Sequence, residues 1–335
     1  MRHWGQTEIT RQVDQTPVPY TDGCEWFTLA IPVNPLTQEP SPPGTFYYTF
    51  IVFTSGDYKI GSSDDEPDRR KDELRHSVKL TQPFAILDRE ITMAELIAFK
   101  TEYSQFMPQF DPKPADAGFA VDWYDSVRFC RWLSLQSGCS EADQSYANPA
   151  DLDKNGEGNP KNWPLVLGKR GFRLPTETEW EVASRAGALT SYGFGSDPSL
   201  LRQFGWFHEN SGKHVHPPRE LRPSLRGVFD QHGNVFEWTH DWYGSFDLNA
   251  AVDPRGSVGG SSRVSRGGSW GLVAAYCRLA GRNADAPTYR TYGGGFRVAL
   301  SPSGASSPEA AQVQRAEPLG GGTEGATAEQ RPELP

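Results

Sequence analysis

The sequence predicts a loop-rich α+β fold, with a few helices set among many short strands. Three observations lead there. Glycine (34) and proline (27) are plentiful in 335 residues, which favours turns over long helices. Only three segments combine helical spacing with a recognisable start. After Gly187, short apolar pieces alternate with Gly, Pro, Asn and Asp clusters, the pattern of short strands joined by irregular loops.

Taken in order, residues 1–44 mix prolines and polar residues around one apolar stretch, WFTLAIPV, and read as an N-terminal extension, irregular or forming an added edge strand. The run FYYTFIVF (46–53) suits a buried strand and is far too short to span a bilayer. In ITMAELIAF, Thr92 and Glu95 make a capping box, with Leu96 and Phe99 on the buried face. In DWYDSVRFCRWLSLQSG, Val127, Cys130 and Leu133 fall at helical spacing and Gly138 supplies the stop. In LPTETEWEVASRAG, Thr176 and Glu179 form a second capping box and Gly187 ends the helix. FGWF, NVFEW, RVSRGGSW and GFRVAL then read as short strands. Residues 301–335 lack aromatics and have few aliphatics, so they cannot repay the entropy of ordering and are expected to be a disordered tail. The folded domain is therefore placed at 45–300.

A formal charge of −9 with no run of Lys or Arg gives no basic face, so a nucleic-acid partner is not expected. The mixed cluster SSDDEPDRRKDE (62–73) reads as a solvated loop. MRHWGQTEITRQ has no apolar core, so no secretory signal is seen and a cytoplasmic location is expected. Cysteines 24, 130, 139 and 277 form no CxxC pair and no zinc or disulfide framework.

Several pieces line up along the chain: GDYKIGS (56–62), HSVKLTQPFAILDREIT (76–92), DWYDSVRFCRWLS (122–134), GFRLPTETEWEVASRAG (171–187), GVFDQHGNVFEWTHDWY (227–243), RVSRGGSW (263–270) and GGFRVAL (294–300). This series resembles the sulfatase-modifying-factor family, whose founding activity is the formylglycine-generating enzyme. The resemblance runs from about residue 46 to residue 300, and it implies a modified C-type-lectin-like fold.

It also implies a chemistry. Active members oxidise a substrate cysteine to formylglycine with oxygen and a copper(I) ion held by two cysteine thiolates, three and eight residues beyond the serine of the RGGS-like motif. Here that serine is Ser269, and the two positions are Leu272 and Cys277. Copper(I) is soft and prefers thiolate ligands, and leucine offers neither charge nor lone pair. Copper is therefore not expected. Cys277 remains either one surviving ligand or a buried core thiol. Ser269 stands beside it with no histidine placed by pattern to activate it.

The resemblance further implies a structural calcium ion held by Asp230, Glu237 and the carbonyls of Gly233 and Val235, a mixed oxygen shell that calcium accepts. The alternative is that Glu237 pairs with an arginine inside the fold. A second family calcium site maps to Asn210 and the Gly212 carbonyl. His208, His214 and His216 suggest metal ligands, but nothing fixes a third converging ligand. Arg282, Tyr289 and Trp270 are candidate ligand contacts; Trp206, Trp238 and Trp242 read as core with Trp270.

Three function classes stay open. One is a lectin-like binding or regulatory module for a protein or peptide ligand, with the segment GLVAAYCRLAGRNADAPTYRTYG as its surface. The second is an oxidase using Cys277 with an altered metal set. The third is an accessory oxidase on another substrate. The oligomeric state is not legible.

Overall fold

The computed structural model describes residues 24–33, 44–105, 111–152, 160, 163–247, 251–302 and the backbone of 314–315. The first sheet starts from two long apolar runs. β1 (Glu25–Val33) and β2 (Gly44–Phe53) pair antiparallel from Glu25 opposite Val52 to Val33 opposite Gly44. β5 (Phe84–Leu87), wholly buried, lines the other side of β2. Between them β3 (Gly56–Ile60) and β4 (His76–Leu80) form a separate two-stranded ribbon.

Helices follow where the caps predict them. α1 (Met93–Phe99) begins at Thr92, whose side chain accepts from Glu95 N–H while Glu95 reaches back, so two orphan amides are satisfied at once. α2 (Trp123–Gln136) starts on Asp122, whose carboxylate caps the N–H of Asp125. α3 (Pro149–Leu152) is a single turn. α4 (Glu177–Arg185) begins with the Thr176–Glu179 box; its left-handed C-cap is Ala186 (φ 48°), one residue before the glycine expected to end it.

The second sheet holds β6 (Phe236–Trp242), β7 (Arg263–Arg266), β8 (Arg282–Asp285) and β9 (Gly294–Gly295) in the order β8-β7-β6-β9. β6 and β9 are parallel. β10 (Ala299–Leu300) and β11 (Gln314–Arg315) close the first sheet as its two edges, in the order β10-β5-β2-β1-β11. FGWF (204–207) is not a strand: it follows a 3-10 turn over Pro198–Gln203 and continues as coil and turn, with Phe204 stacked on Phe194 and Phe207 in a small cluster with Tyr192 and Leu201.

Aromatics fill the main core, with Trp123, Trp163, Tyr48, Tyr103 and Phe50 wholly buried between the first sheet, α1 and α2. Charge is buried as well. Each glutamate of ETEWE takes an arginine, two of them from distant segments. Glu179 pairs with Arg173, Glu177 with Arg282, and Glu181 with Arg185 and Arg266. Arg263 lies between the faces of Trp123 and Trp242, 3.8 and 3.5 Å from their centroids. Buried guanidinium groups survive because nearly every one has a carboxylate, carbonyl or ring against it. No helix among the described residues is long and apolar enough to cross a membrane.

Candidate functional site

The segment after β7 turns sharply through Gly267 (φ 94°) and Gly268 (φ 79°), a left-handed pair that side-chain-bearing residues avoid. Gly268 has a second reason: a Cβ there would lie 2.7 Å from Cys277 Sγ and 3.0 Å from the Tyr276 carbonyl. The chain then closes a turn from Leu272 N–H to the Ser269 carbonyl (3.1 Å), while the Leu272 carbonyl accepts from His208 N–H (2.9 Å). A 3-10 turn over Ala274–Cys277 follows.

Cys277 is fully buried, packed with Tyr192, Leu201 and Phe207. Burial pushes its thiol up to about 12, against a weak opposing pull from the Ser269 backbone. Its sulfur also lies 4.0 Å from the Val273 carbonyl. The His232 ring lies behind it but serves its peptide: Nε2 accepts from Gly193 N–H at 3.1 Å, so Nδ1 carries the proton and donates to the Cys277 carbonyl at 2.8 Å. Burial lowers His232 to about 4, and the imidazole is neutral. Leu272 is half-buried and Ser269 buried. The structure thus places Ser269 and Leu272 on one turn and Cys277 on the next, with a buried thiol and a hydrocarbon at the two positions where thiolates were sought.

The surroundings are rigid. Arg278 bonds Glu73 in a fork (2.7 and 2.8 Å), Glu66 (2.9 Å) and the Asp68 carbonyl (2.7 Å). The cluster at 62–73 is therefore more than a solvated loop. Glu66 and Glu73 are buried, and Arg70 covers the Tyr276 ring at 4.8 Å. Arg282, expected at a ligand surface, is buried. Its guanidinium forks onto Glu177 (2.6 and 2.7 Å) and lies over Tyr243 and Phe246, so it has no free face for a ligand. Tyr289 is exposed, and Trp270 is buried with its indole N–H on the Tyr292 carbonyl.

Around β6, Glu237 is committed. Both its oxygens take Arg297 (2.5 and 2.6 Å) and Oε2 also takes the Trp180 indole (2.7 Å). Asp230, in a left-handed conformation (φ 61°), accepts from Arg219 N–H at 2.8 Å. Glu90, which no local pattern marked, joins them from the β5–α1 turn, accepting from Asn234 Nδ2 (2.6 Å) and Val235 N–H (3.2 Å). Burial and then repulsion from Asp230 and Glu237 raise Glu90 well above the carboxylate range; burial lifts Asp230 to about 6. Among the described residues no three His, Cys, Asp or Glu side chains converge as a metal group.

Asn210 is spent on its own loop, accepting from Phe207 N–H (2.8 Å) and donating to the Gly205 carbonyl (3.0 Å). Gly212 is left-handed at φ 63°. His216 stacks on Trp206 at 3.7 Å and lies tilted against His214 at 4.1 Å, with Nε2 on the Ser211 carbonyl. Two of the three histidines thus meet on a loop beside Trp206, and His208 is not among them.

Residues 38–302 match the sulfatase-modifying factor enzyme 1-like domain. The chain belongs to the sulfatase-modifying-factor family. It is 29% identical over 309 residues to a formylglycine-generating enzyme of Streptomyces coelicolor, covering 81% of this chain and 96% of that one. Its fold is similar to that of Treponema denticola variable protein 1 (TM-score 0.65, 26% identity, 77% of this chain and 97% of that one). It is also similar to that of PvdO from Pseudomonas aeruginosa (TM-score 0.62, 24% identity, 76% and 94%). The architecture is the α+β, modified C-type-lectin-like one of the sulfatase-modifying-factor family.

Proposed function

We propose that this family member does not make formylglycine through a two-thiolate copper site and acts as a lectin-like binding or regulatory module. The observation that carries the reading is the pair Leu272 and Cys277: a half-buried hydrocarbon and a fully buried thiol held protonated by its surroundings. A thiolate that costs this much to form is a poor ligand and a poor nucleophile. What the family scaffold retains is a rigid frame of buried ion pairs displaying loops, a common arrangement for binding. Exposed Val273, Tyr276, Tyr289 and Tyr292 on and beside the 271–293 segment offer the apolar contacts that such surfaces use.

The test supplies copper(I) under reducing conditions with a CxPxR-type peptide. No formylglycine and no stoichiometric copper are expected; turnover at rates of active family members defeats the proposal.

A structural calcium ion at Asp230 and the carbonyls of Gly233 and Val235 belongs to the same proposal. Its support is the charge balance, since Glu90, Asp230 and Glu237 face mainly Arg297. The commitment of both Glu237 oxygens to Arg297 counts against a bidentate role for that residue. Excess chelator should lower the melting temperature by several degrees; an unchanged melt removes calcium from the proposal.

A further inference from the structure

Of the nine buried arginines among the described residues, eight bond a glutamate. Arg263 is the exception. It is only 1% exposed, yet it makes no ion pair among the described residues. The acids nearest to it along the sheet are engaged elsewhere. Asp241 of β6 accepts from Glu177 N–H at 2.6 Å, and Asp285, opposite Arg263 in the β7–β8 register, accepts from Asn283 at 2.6 Å. A guanidinium taken out of water without a countercharge is costly. Burial brings Arg263 down to about 10, and the nearby Tyr146, Asp241 and Tyr124 offset only part of that.

The groups gathered around it are donors. Trp123 and Trp242 cover both faces of the guanidinium, so a ligand can meet only its edge. On that edge Nη1 bonds the His240 carbonyl at 2.5 Å, Nε is unpartnered, and Nη2 bonds nothing among the described residues. His240 is half-buried and shares a face of β6 with Trp242. Tyr146 Oη accepts from Leu174 N–H at 3.4 Å and lies 3.3 Å from His240 Nδ1. Its own proton then goes to Nδ1, which leaves the ring hydrogen on Nε2 as a donor. Burial, followed by repulsion from Arg263, Arg173 and Arg255, keeps this imidazole neutral.

A second cation without an acid stands at the rim. Arg255 is exposed and spends one nitrogen on the Leu165 carbonyl at 3.3 Å. Two bridges fix it there: its neighbour Gly256 pairs with Trp242, and Leu165 pairs with Tyr146.

We infer that His240, Arg255 and Arg263 form a binding site for a carboxylate, with Trp242 as its wall. A guanidinium held flat between two rings presents its edge to a planar pair of oxygens, the geometry that a carboxylate matches. The chain as a whole carries a charge of −9, so these unpaired cations are not part of a generally basic surface. The site shares no residue with the Cys277 turn and does not depend on the reading of that turn.

The test uses the full chain at constant ionic strength, with sodium chloride replaced stepwise by acetate or benzoate. Tryptophan fluorescence and the melting temperature are followed together. A saturable change in both is expected, because a ligand that binds only the folded state raises its melting temperature. In Arg255→Gln, an exposed change that should leave the unliganded melt as in the wild type, the Kd should be about tenfold higher. Arg263→Lys, which keeps the charge and loses the fork, should weaken binding as well; if it does not fold, Arg255→Gln still decides. A capped Gly-Glu-Gly peptide and its Gly-Gln-Gly counterpart identify the source. Binding of the Glu peptide alone supports a site for acidic peptide side chains, and binding of acetate or benzoate without it supports a site for a free small acid. No saturable response to any carboxylate, or an equal Kd in wild type and Arg255→Gln, overturns the inference.

Discussion

Arg266 donates to Glu181 at 2.6 Å from one nitrogen and from the same guanidinium reaches the carbonyls of Leu279 and Ala280 at 2.8 and 3.1 Å. One buried residue thereby ties α4, β7 and the segment following Cys277. Glu181→Ala would leave Arg185 without its carboxylate and Arg266 with only the longer Glu177 contact at 3.4 Å. The expected cost is about 3–5 kcal/mol in denaturant unfolding. Burial pushes Glu181 up, but Arg185 and Arg266 outweigh it and hold the carboxyl below its ordinary value. Its contribution is therefore present above the unfolded-state value and lost as pH falls through the folded one. Wild type and Glu181→Gln should converge in acid, and parallel melts from pH 7 downward would check this.

Arg282 and Tyr289, both ligand candidates on pattern, should separate cleanly. Arg282→Ala leaves Glu177 with only the longer Arg266 contact at 3.4 Å and should cost about 3 kcal/mol or more. Tyr289→Ala removes an exposed ring and should change stability by no more than about 0.5 kcal/mol. Equal losses in thermal melts would show that Tyr289 also has a structural role.

Asp241 is raised to about 7, first by burial and then by the nearby Glu177. A carboxyl whose folded value lies above its unfolded value stabilises most below the unfolded value, and that contribution is lost as pH rises through the folded one. Asp241→Asn keeps an acceptor for the Glu177 N–H, bonded at 2.6 Å, without the charge. Relative to the wild type, the variant should gain on the order of a few kcal/mol between pH 4 and pH 8. A stability difference that stays flat over that range would refute the assignment.

Cys277 should resist iodoacetamide at pH 8 in the native protein and react only once the protein unfolds, because burial keeps the thiol protonated. Gly268→Ala forces a Cβ against that sulfur at a left-handed backbone position. It should destabilise by more than about 2 kcal/mol and speed alkylation of Cys277. Mass spectrometry of the labelled peptide reads both effects.

The helices were legible because their caps are local. Thr92 with Glu95 and Thr176 with Glu179 sit three residues apart, and the structure uses both pairs as the pattern reads. The family fold was legible because its motifs keep their order over most of the chain. The partners of those motifs were not. Glu90 meets Asn234 across 144 residues, and Arg278 meets Glu66 across 212, separations at which no periodicity operates. The ambiguity of Cys277 had the same origin: whether a thiol opens onto a cleft or faces Tyr192 and Phe207 depends on which distant loop covers it. Arg282 misled for a related reason, since an arginine in a loop-rich segment looks like a contact until its buried acid is found.

The parallel pairing of β6 with β9 bears on the order in which the molecule assembles. Phe236 aligns with Gly294, and Gly295 packs so closely that a Cβ there would come within 2.3 Å of the Gly118 carbonyl and 2.8 Å of Val235 Cγ2. Segments from three remote parts of the chain must meet before any of these contacts yields stabilisation, and closing such loops is slow. During synthesis, the first sheet can pair β1 with β2 long before β9 has left the ribosome. The turn bearing Cys277 is therefore among the last regions to acquire its native surroundings.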